Sequence, residues 1–406
     1  MIVRKIHLDE LPESRRLSSL AFEWVYEDEE PDKKENKTPE ELEETEQDRR
    51  FEANNTWAAF DEETGEMMAS LSVTPFQVYF DGSIVEMGGV GGVSTYPQHR
   101  RKGAIRGCLR ASYEDAYNRG VPFFYLYAFS EAFYRQYEFE RCCTTIQWNF
   151  DLRTIPSSKI AGKFILYRGE DDIQKFQQVY DAAAKRFNMM VQRDIYSYEK
   201  LKKAHPFKTN RFAYLYEDAQ GDPKAYLIFE KSGDAMEVSE LIFSDFESLK
   251  AVLSFSKSFL PNYSRIRFRA PAHINLDYFC TDYCQSSSGR PIQLNGMARI
   301  VHLEKVLQMA SYRGSGTIAI RISDGDLEQN NGTFEVVFQD GKAISVAKKD
   351  NIAPDLEMPI SRLSRAIIGD YHTEDLLYVG DVVLHCSLEK AGQMIYRKPC
   401  WINDYF

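Results

Sequence analysis

Apolar and polar positions change rhythm several times along the chain. From Thr56, TWAAFDEETGEMMASLSVTPFQVYFDG runs as short apolar stretches broken by turn formers at Glu63–Gly65 and Asp81–Gly82. That is the pattern of an antiparallel meander. Residues 121–129, VPFFYLYAF, are apolar and aromatic throughout, as in a strand buried on both faces. Between them GVSTY leads into a knot of basic residues and a glycine, Gly103, after which the spacing becomes helical. Upstream, 27–51 is highly charged, and its second half predicts a helix. Thr38 serves as N-cap, Pro39 takes the first helical position, Glu41 completes a capping box, and Arg49 and Arg50 suit the far end. Its acidic face reads either as a solvated surface or as a flap that attracts amines.

Residues 151 to about 288 repeat this alternation in layout, without a counterpart of HRRKG. DDIQKFQQVYDAAAKRF and FESLKAVLSFSKSFL read as helices, and RFAYLYED, KAYLIFEKS and SRIRFRAP as strands. Turn formers at 285–296 suit a linker. Beyond it, GTIAIRISD, NGTFEVVFQDG and KAISVAKK form a second meander. MPISRLSRAIIGDY places Ile360, Leu363 and Ile367 on one helical face, and DLLYVG is a further short segment. The pattern divides the chain at 1–150, 151–288 and 289–406.

A length of 406 residues allows two to four domains, and 43% hydrophobic residues suffice for folded cores. The net charge of −11 argues against general nucleic-acid binding and is compatible with a cationic partner. No apolar run approaches the roughly 20 residues of a membrane span, and the N-terminus has no signal core, so a cytoplasmic location is expected. The seven cysteines are scattered and fit reduced thiols. Cys280 and Cys284, and Cys142 and Cys143, lack the second pair that zinc spacing requires, and no metal is expected.

His99, Arg100, Arg101 and Lys102 precede a helix start. A helix N-terminus offers unpaired N–H groups and partial positive charge, a seat for phosphate. Gly103 would let the backbone approach a ligand, and Arg101 and Lys102 would add charge. With a neighbouring strand to pair an extended arm, this suits a pyrophosphate on a long amide-bearing chain, as in coenzyme A. A basic triplet before a helix is also an ordinary solvated helix start. GGVGGV is not followed by a helix, so the dinucleotide fingerprint fails, and no Gly-Lys-Ser/Thr makes a P-loop.

Arg100-x-x-Gly103-x-Ile105 resembles the acetyl-CoA pyrophosphate loop of GCN5-related N-acetyltransferases (GNAT). PQHRRKGAIRG, with a large aliphatic residue at Ile105, is similar to the version in the enhanced-intracellular-survival (Eis-like) branch. SEAFYRQYEFE resembles the segment carrying that branch's catalytic tyrosine, and the chain stops at a phenylalanine as the branch does. The resemblance implies an α/β (α+β) fold: tandem GNAT-like domains, each a mixed twisted sheet flanked by helices, the second degenerate, then a sterol-carrier-protein-like α+β domain. It implies acetyl transfer from acetyl-CoA to a primary amine of a small cationic acceptor, aminoglycoside-like or a lysine or polyamine. Tyr134 would be the general acid and the Phe406 α-carboxylate the general base.

By the same resemblance Val93, Ser94 and Thr95 would hold the thioester. Arg101, Lys102, Gly103, Ala104, Ile105 and Arg106 would line the pyrophosphate, and Ser130 would contact the pantetheine or simply cap the following helix. It further implies a homo-oligomer, often a hexamer, with no nucleic-acid or membrane partner. His99 reads as a loop residue, and His302, His372 and His385 as structural. A non-catalytic alternative is a carrier that holds an apolar ligand such as a lipid or sterol in the third domain.

Overall fold

The computed structural model describes residues 1–26, 39–169, 173–194, 197–277, 279–280, 292–293, 296–349 and 351–406. The first part of the chain forms β1 (Ile2–Lys5), α1 (Leu11–Phe22), α2 (Pro39–Asn54), β2 (Thr56–Phe60), β3 (Met67–Phe80), β4 (Ser83–Thr95), α3 (Ala104–Asn118), β5 (Phe123–Leu126), α4 (Glu131–Arg135) and β6 (Glu140–Cys142). The helix expected from 38 is α2; the Thr38 cap, the Glu41 side chain and most of the acidic run 27–38 lie outside the described residues. The middle part forms β7 (Thr145–Asp151), β8 (Lys163–Leu166), α5 (Gln174–Ala184), α6 (Glu199–Lys202), β9 (Arg211–Glu217), β10 (Pro223–Ser232), β11 (Ala235–Phe243), α7 (Phe246–Ser256), β12 (Arg265–Pro271) and β13 (Ile292–Gln293). The rest forms β14 (Gly296–Ile300), α8 (Leu303–Met309), β15 (Gly316–Ser323), β16 (Gly332–Gln339), β17 (Lys342–Lys348), β18 (Leu356–Pro359), α9 (Ile360–Ile368), β19 (Val383–Leu384) and α10 (Leu388–Ala391).

Three mixed sheets result. Their orders are β1-β2-β3-β4-β5-β14-β6, β13-β7-β12-β11-β10-β9-β8 and β17-β16-β15-β18-β19. The first two do not part along the chain in sequence. β6 belongs to the first sheet, but two residues later β7 joins the second, antiparallel to β12. β13 then pairs with β7, and β14 returns to lie between β5 and β6 in the first sheet. The sheets therefore do not follow the expected divisions: β7, nearly all before 150/151, is an inner strand of the second sheet, and β14, beyond 288/289, is an inner strand of the first. Most of the turn-rich run 285–296, including the 288/289 division itself, lies outside the described residues.

α3 buries Ala104, Ile105, Cys108, Leu109, Ser112, Tyr113 and Ala116 on one face, a helical stripe seated on the first sheet. Tyr113 meets Phe124 edge-on with centroids 5.4 Å apart. The opposite face of that sheet is covered by the third layer. Val78, Phe80, Met87, Phe123 and Tyr125 share one buried cluster with Ile318, Phe338, Leu363 and Ile367. α9 buries Ile360, Leu363 and Ile367 as its spacing predicts, and ends at Gly369 with φ +112°, where a Cβ would meet Lys398 at 2.4 Å. DLLYVG is a 3₁₀ turn, Thr373–Tyr378.

The C-terminal segment is tied down from Lys398 onward. The Lys398 ammonium meets Asp81 at 2.6 Å with both side chains buried. Asn188 N–H donates to the Pro399 carbonyl, and Trp401 N–H to the Asn188 carbonyl, each at 2.9 Å. Trp401 then sinks into the cluster of the second sheet, while Ile402 and Phe406 return to the first. The segment therefore passes from the third layer, along the second sheet, to the first.

Candidate active site

β4 and β5 run parallel and pair only over Met87–Val90 with Phe123–Leu126. β5 ends there, whereas β4 continues to Thr95. Among the described pairings, β4 beyond Val90 has no partner on the β5 side, so the strands open as a V. On its other side β4 pairs with β3 through a bulge: Ser72 opposes Gly91 and Ser70 opposes Ser94, leaving Gly92 and Val93 opposite Leu71. Gly92 has φ +58°, which the missing Cβ makes inexpensive. A bulge re-aims the backbone amides beside the opening.

The V leads to the N-terminus of α3. Its N-cap, Gly103, has φ +79° and no side-chain cap, and the first turn carries no acidic residue. The first backbone bond returning to Gly103 comes from Gly107 N–H at 3.0 Å, so the N–H groups of Ala104, Ile105 and Arg106 remain available. Together the V and this turn enclose a cavity of about 810 Å³ lined by Val93, Ser94, Thr95, His99, Arg100, Arg101, Gly103, Ala104 and Ile105. A ligand with an anionic group fits this form: the end of β4 at Val93–Thr95 on one side, then bare N–H donors flanked by Arg100 and Arg101.

Several expected residues are present without lining that cavity. Lys102 is exposed, its ammonium 3.3 Å from His99 Nδ1. The Arg106 guanidinium donates to Asp326 at 2.7 Å and to the Gln136 carbonyl at 2.8 Å, so only its backbone can serve the helix start. Ser130 caps α4, accepting from Phe133 N–H at 3.3 Å. Ser94 does line the cavity, but it is largely buried, and its hydroxyl donates to the Gly92 carbonyl at 2.8 Å, which stiffens the bulge.

Tyr134 is 4% exposed, and it sits behind the cavity wall rather than in it. Its ring meets Phe129 at 5.5 Å and Phe133 at 5.1 Å between centroids, and both of these line the cavity. Its hydroxyl makes no hydrogen bond to a described side chain or carbonyl. Burial, with the neighbouring Tyr137, pushes its phenol well above the ordinary tyrosine value. The walls Ala21, Phe22, Phe129, Phe133 and Tyr137 were not anticipated. The aromatic density of AFSEAFYRQY was a signal for the last three; nothing local marks the end of α1 as a wall.

Phe406 lies at the apex of the V. Its ring is 4.6 Å from Phe76, 5.3 Å from Tyr127 and 6.4 Å from Tyr125. It covers Gly89, where a Cβ would stand 2.7 Å from it. Gly89 pairs with Tyr125, one residue before the strands part. The histidines do what a surface does: His302 caps α8 and stacks on Tyr117 at 4.3 Å, His372 meets Arg397 and His385 meets Glu357, each at 2.8 Å. Among the described residues no group of three His, Cys, Asp or Glu side chains could hold a metal ion, and no helix is long and apolar enough to cross a membrane. In the third layer Ile318, Ile320, Phe334, Val336, Phe338 and Leu363 are all nearly or wholly buried and pack on one another, filling the interior.

Residues 2–142 match a family model for an acetyltransferase (GNAT) domain, 189–300 a second such model, and 303–403 a sterol carrier protein domain. No curated protein matches the chain. Among solved structures, a probable N-acyltransferase from Enterococcus faecalis is 22% identical with a TM-score of 0.82, covering 100% of this chain and 99% of its own. A GCN5-related N-acetyltransferase from Anabaena variabilis is 17% identical at TM-score 0.81, with 100% of both chains covered. Eis1 from Mycobacterium abscessus is also 17% identical, at TM-score 0.78, with 100% of both chains covered. These likenesses extend the fold over the full length. The chain is an acyl-CoA-dependent acetyltransferase of the GNAT family, built on the Eis-like plan of two GNAT domains followed by a sterol carrier protein domain.

Proposed function

We propose that the protein moves acetyl from acetyl-CoA to a primary amine of a cationic acceptor, aminoglycoside-like or a lysine or polyamine, by direct attack. The observation that supports the reading is Phe406: its ring packs on Gly89, one residue before β4 and β5 part, although it does not itself line the cavity. The diphosphate rests on the α3 N–H groups with Arg101 and Lys102 adding charge, and the pantetheine follows β4. The thioester carbonyl accepts from the backbone around Val93–Thr95, whose bulge supports that role.

An amine of pKa about 10.4 arrives protonated and must lose a proton before attacking. The Phe406 carboxylate accepts it. The nitrogen lone pair forms the C–N bond, the C–S bond breaks, and sulfur takes the electron pair. Tyr134 is the donor to that growing charge once the Phe129 and Phe133 wall in front of it gives way, and it ends by protonating the thiolate. The carboxylate passes that first proton to solvent and relays nitrogen's second one back to Tyr134, so ammonium and thioester give amide, thiol and one released proton. Positioned acids and bases typically contribute about 10²- to 10⁴-fold. A homo-oligomer accompanies this reading from the resemblance alone, and a cytoplasmic location from the sequence.

The test is thiol release from acetyl-CoA with a panel of aminoglycosides and polyamines. Tyr134→Phe should lower kcat about 10²- to 10³-fold while acetyl-CoA affinity is kept. Its raised phenol should also leave the wild-type rate without an alkaline decline below about pH 10, since the acid form is lost only above its own pKa. One glycine added after Phe406 should be equally damaging. A wild-type rate in either variant removes that group from the mechanism.

A further inference from the structure

The first two sheets share one strand plan, so their clefts can be compared by register. β11 and β12 run parallel and pair only over Ala235–Glu237 with Arg265–Arg267, then part as β4 and β5 do. β11 is bulged two residues beyond its last pair: Phe229 opposes Val238 and Ile228 opposes Glu240, leaving Ser239 extra. In β4 the bulge at Gly92 is likewise two beyond Val90. Glu240 therefore stands where Val93 stands in the first cleft.

The consequences are opposite. Glu240 is buried, with Arg193 Nη2 at 2.7 Å, Tyr226 Oη at 3.0 Å and Asn403 Nδ2 at 2.8 Å all donating to its carboxylate. The helix that follows, α7, starts two residues after β11, and Asp245 caps it by accepting from Ser248 N–H at 2.7 Å. A carboxylate already occupies the place of a diphosphate. What lies across this second cleft is the chain's own end. A cavity of about 270 Å³ remains between Gln147, Glu237 and Arg269 on the strands and Trp401, Asn403 and Tyr405 of the C-terminal segment. Arg269 donates to the Tyr405 hydroxyl. Asp404 accepts from Arg193 Nε at 2.9 Å and from Tyr180 Oη at 3.0 Å, and its carbonyl accepts from Tyr127 of the first sheet.

We propose that the second cleft has become the receptor for the C-terminal segment, with Glu240, Arg193 and Asp404 as positioning residues that set where the Phe406 carboxylate stands. This rests on the reading of Phe406 as the base. Each of the three residues before Phe406 is held: Asn403 by Glu240, Asp404 by Arg193 and Tyr180, Tyr405 by Arg269. A reach so short leaves the carboxylate little freedom, and a misplacement of about 1 Å can cost about 10²-fold in rate.

The experiment compares Asp404→Asn, Asn403→Ala, a chain lacking Phe406, and Asp404→Asn combined with that truncation, in amine acetylation at saturating acetyl-CoA. Both single variants should lose about 10- to 100-fold in kcat with the acetyl-CoA KM within about 2-fold of wild type, and Asp404→Asn should cost nothing further once Phe406 is gone. Thermal melting identifies a variant that has merely unfolded, and Asn403→Ala, which removes no charge, then decides. A slow truncated chain beside wild-type kcat in Asp404→Asn and Asn403→Ala overturns the positioning role and leaves the base in place. Wild-type kcat in the truncated chain overturns both. Additive losses in the combined variant make Asp404 structural and refute the proposal.

Discussion

Gly88 and Gly89 form an internal control, because neighbouring strand residues face opposite sides of the sheet. A methyl at Gly88 would meet Phe124 at 2.5 Å and Val73 at 2.7 Å, on the α3 side. A methyl at Gly89 would meet Phe76 at 2.6 Å and Phe406 at 2.7 Å, on the side of the chain end. Neither glycine has a positive φ, so alanine is allowed by the backbone and only the space matters. Ordinary contact begins at 3.4 Å, so the Phe406 ring must retreat by about 0.7 Å or more in Gly89→Ala. Overpacking of this kind costs about 1–3 kcal/mol of stability at either position. The displacement adds a second cost at Gly89 alone: a kcat lower by about 10- to 100-fold. The assay is thiol release at saturating acetyl-CoA, with acetyl-CoA affinity by calorimetry and thermal melting on the same preparations. Both variants should melt a few degrees lower and bind acetyl-CoA as wild type does. Equal kcat losses in the two, or none in Gly89→Ala, would refute the claim that the chain end must sit on Gly89.

Arg101→Ala should weaken acetyl-CoA binding about 10-fold and reduce its salt dependence, since a charged phosphate contact is worth about 1.5 kcal/mol. Arg106→Ala should leave that affinity unchanged and cost about 1 kcal/mol of stability, because its guanidinium holds Asp326 and the Gln136 carbonyl; titration calorimetry and denaturation separate the two. His273 is pushed down to about 4 by burial and the Arg397 charge, beside Phe187 at the root of the C-terminal segment. Its neutral form is the folded one, so its contribution is complete above about pH 6.5 and lost as pH falls toward 4. With partial exposure discounted this amounts to about 1–2 kcal/mol. Denaturation midpoints between pH 7 and 4 should fall less steeply in His273→Gln, and an unchanged slope would dismiss the residue.

The legible parts of the chain are those whose physics is local. A basic run against a glycine predicts a bare helix start, and Gly103 provides one. TWAAF, MMASLSVTPFQVYF and the apolar run at 121–129 contain β2, β3 and β5, and SRIRFRAP and FESLKAVLSFS contain β12 and α7. That the Arg106 guanidinium is engaged elsewhere was illegible, because its partner Asp326 lies 220 residues away. The strand exchange was illegible for the same reason. GMARI is five apolar-rich residues whose side-chain alternation suits any sheet, and nothing in it specifies β5 and β6 as neighbours rather than the adjacent β13. Glu240 carried no signal either, since its meaning depends on a bulge visible only in the register.

The crossed strands have a consequence for the chain as it leaves the ribosome. Synthesis proceeds at about 5–20 residues per second, and β5 waits some 170 residues for β14 to cover its edge. During that interval Phe123, Phe124, Tyr125 and Leu126 present an aromatic edge with open hydrogen-bonding groups, a template for unwanted pairing. A fragment ending near residue 150 keeps that edge bare permanently, so expressing the first 150 residues alone should give aggregates rather than a miniature enzyme, and chaperone capture should concentrate on nascent chains shorter than about 300 residues.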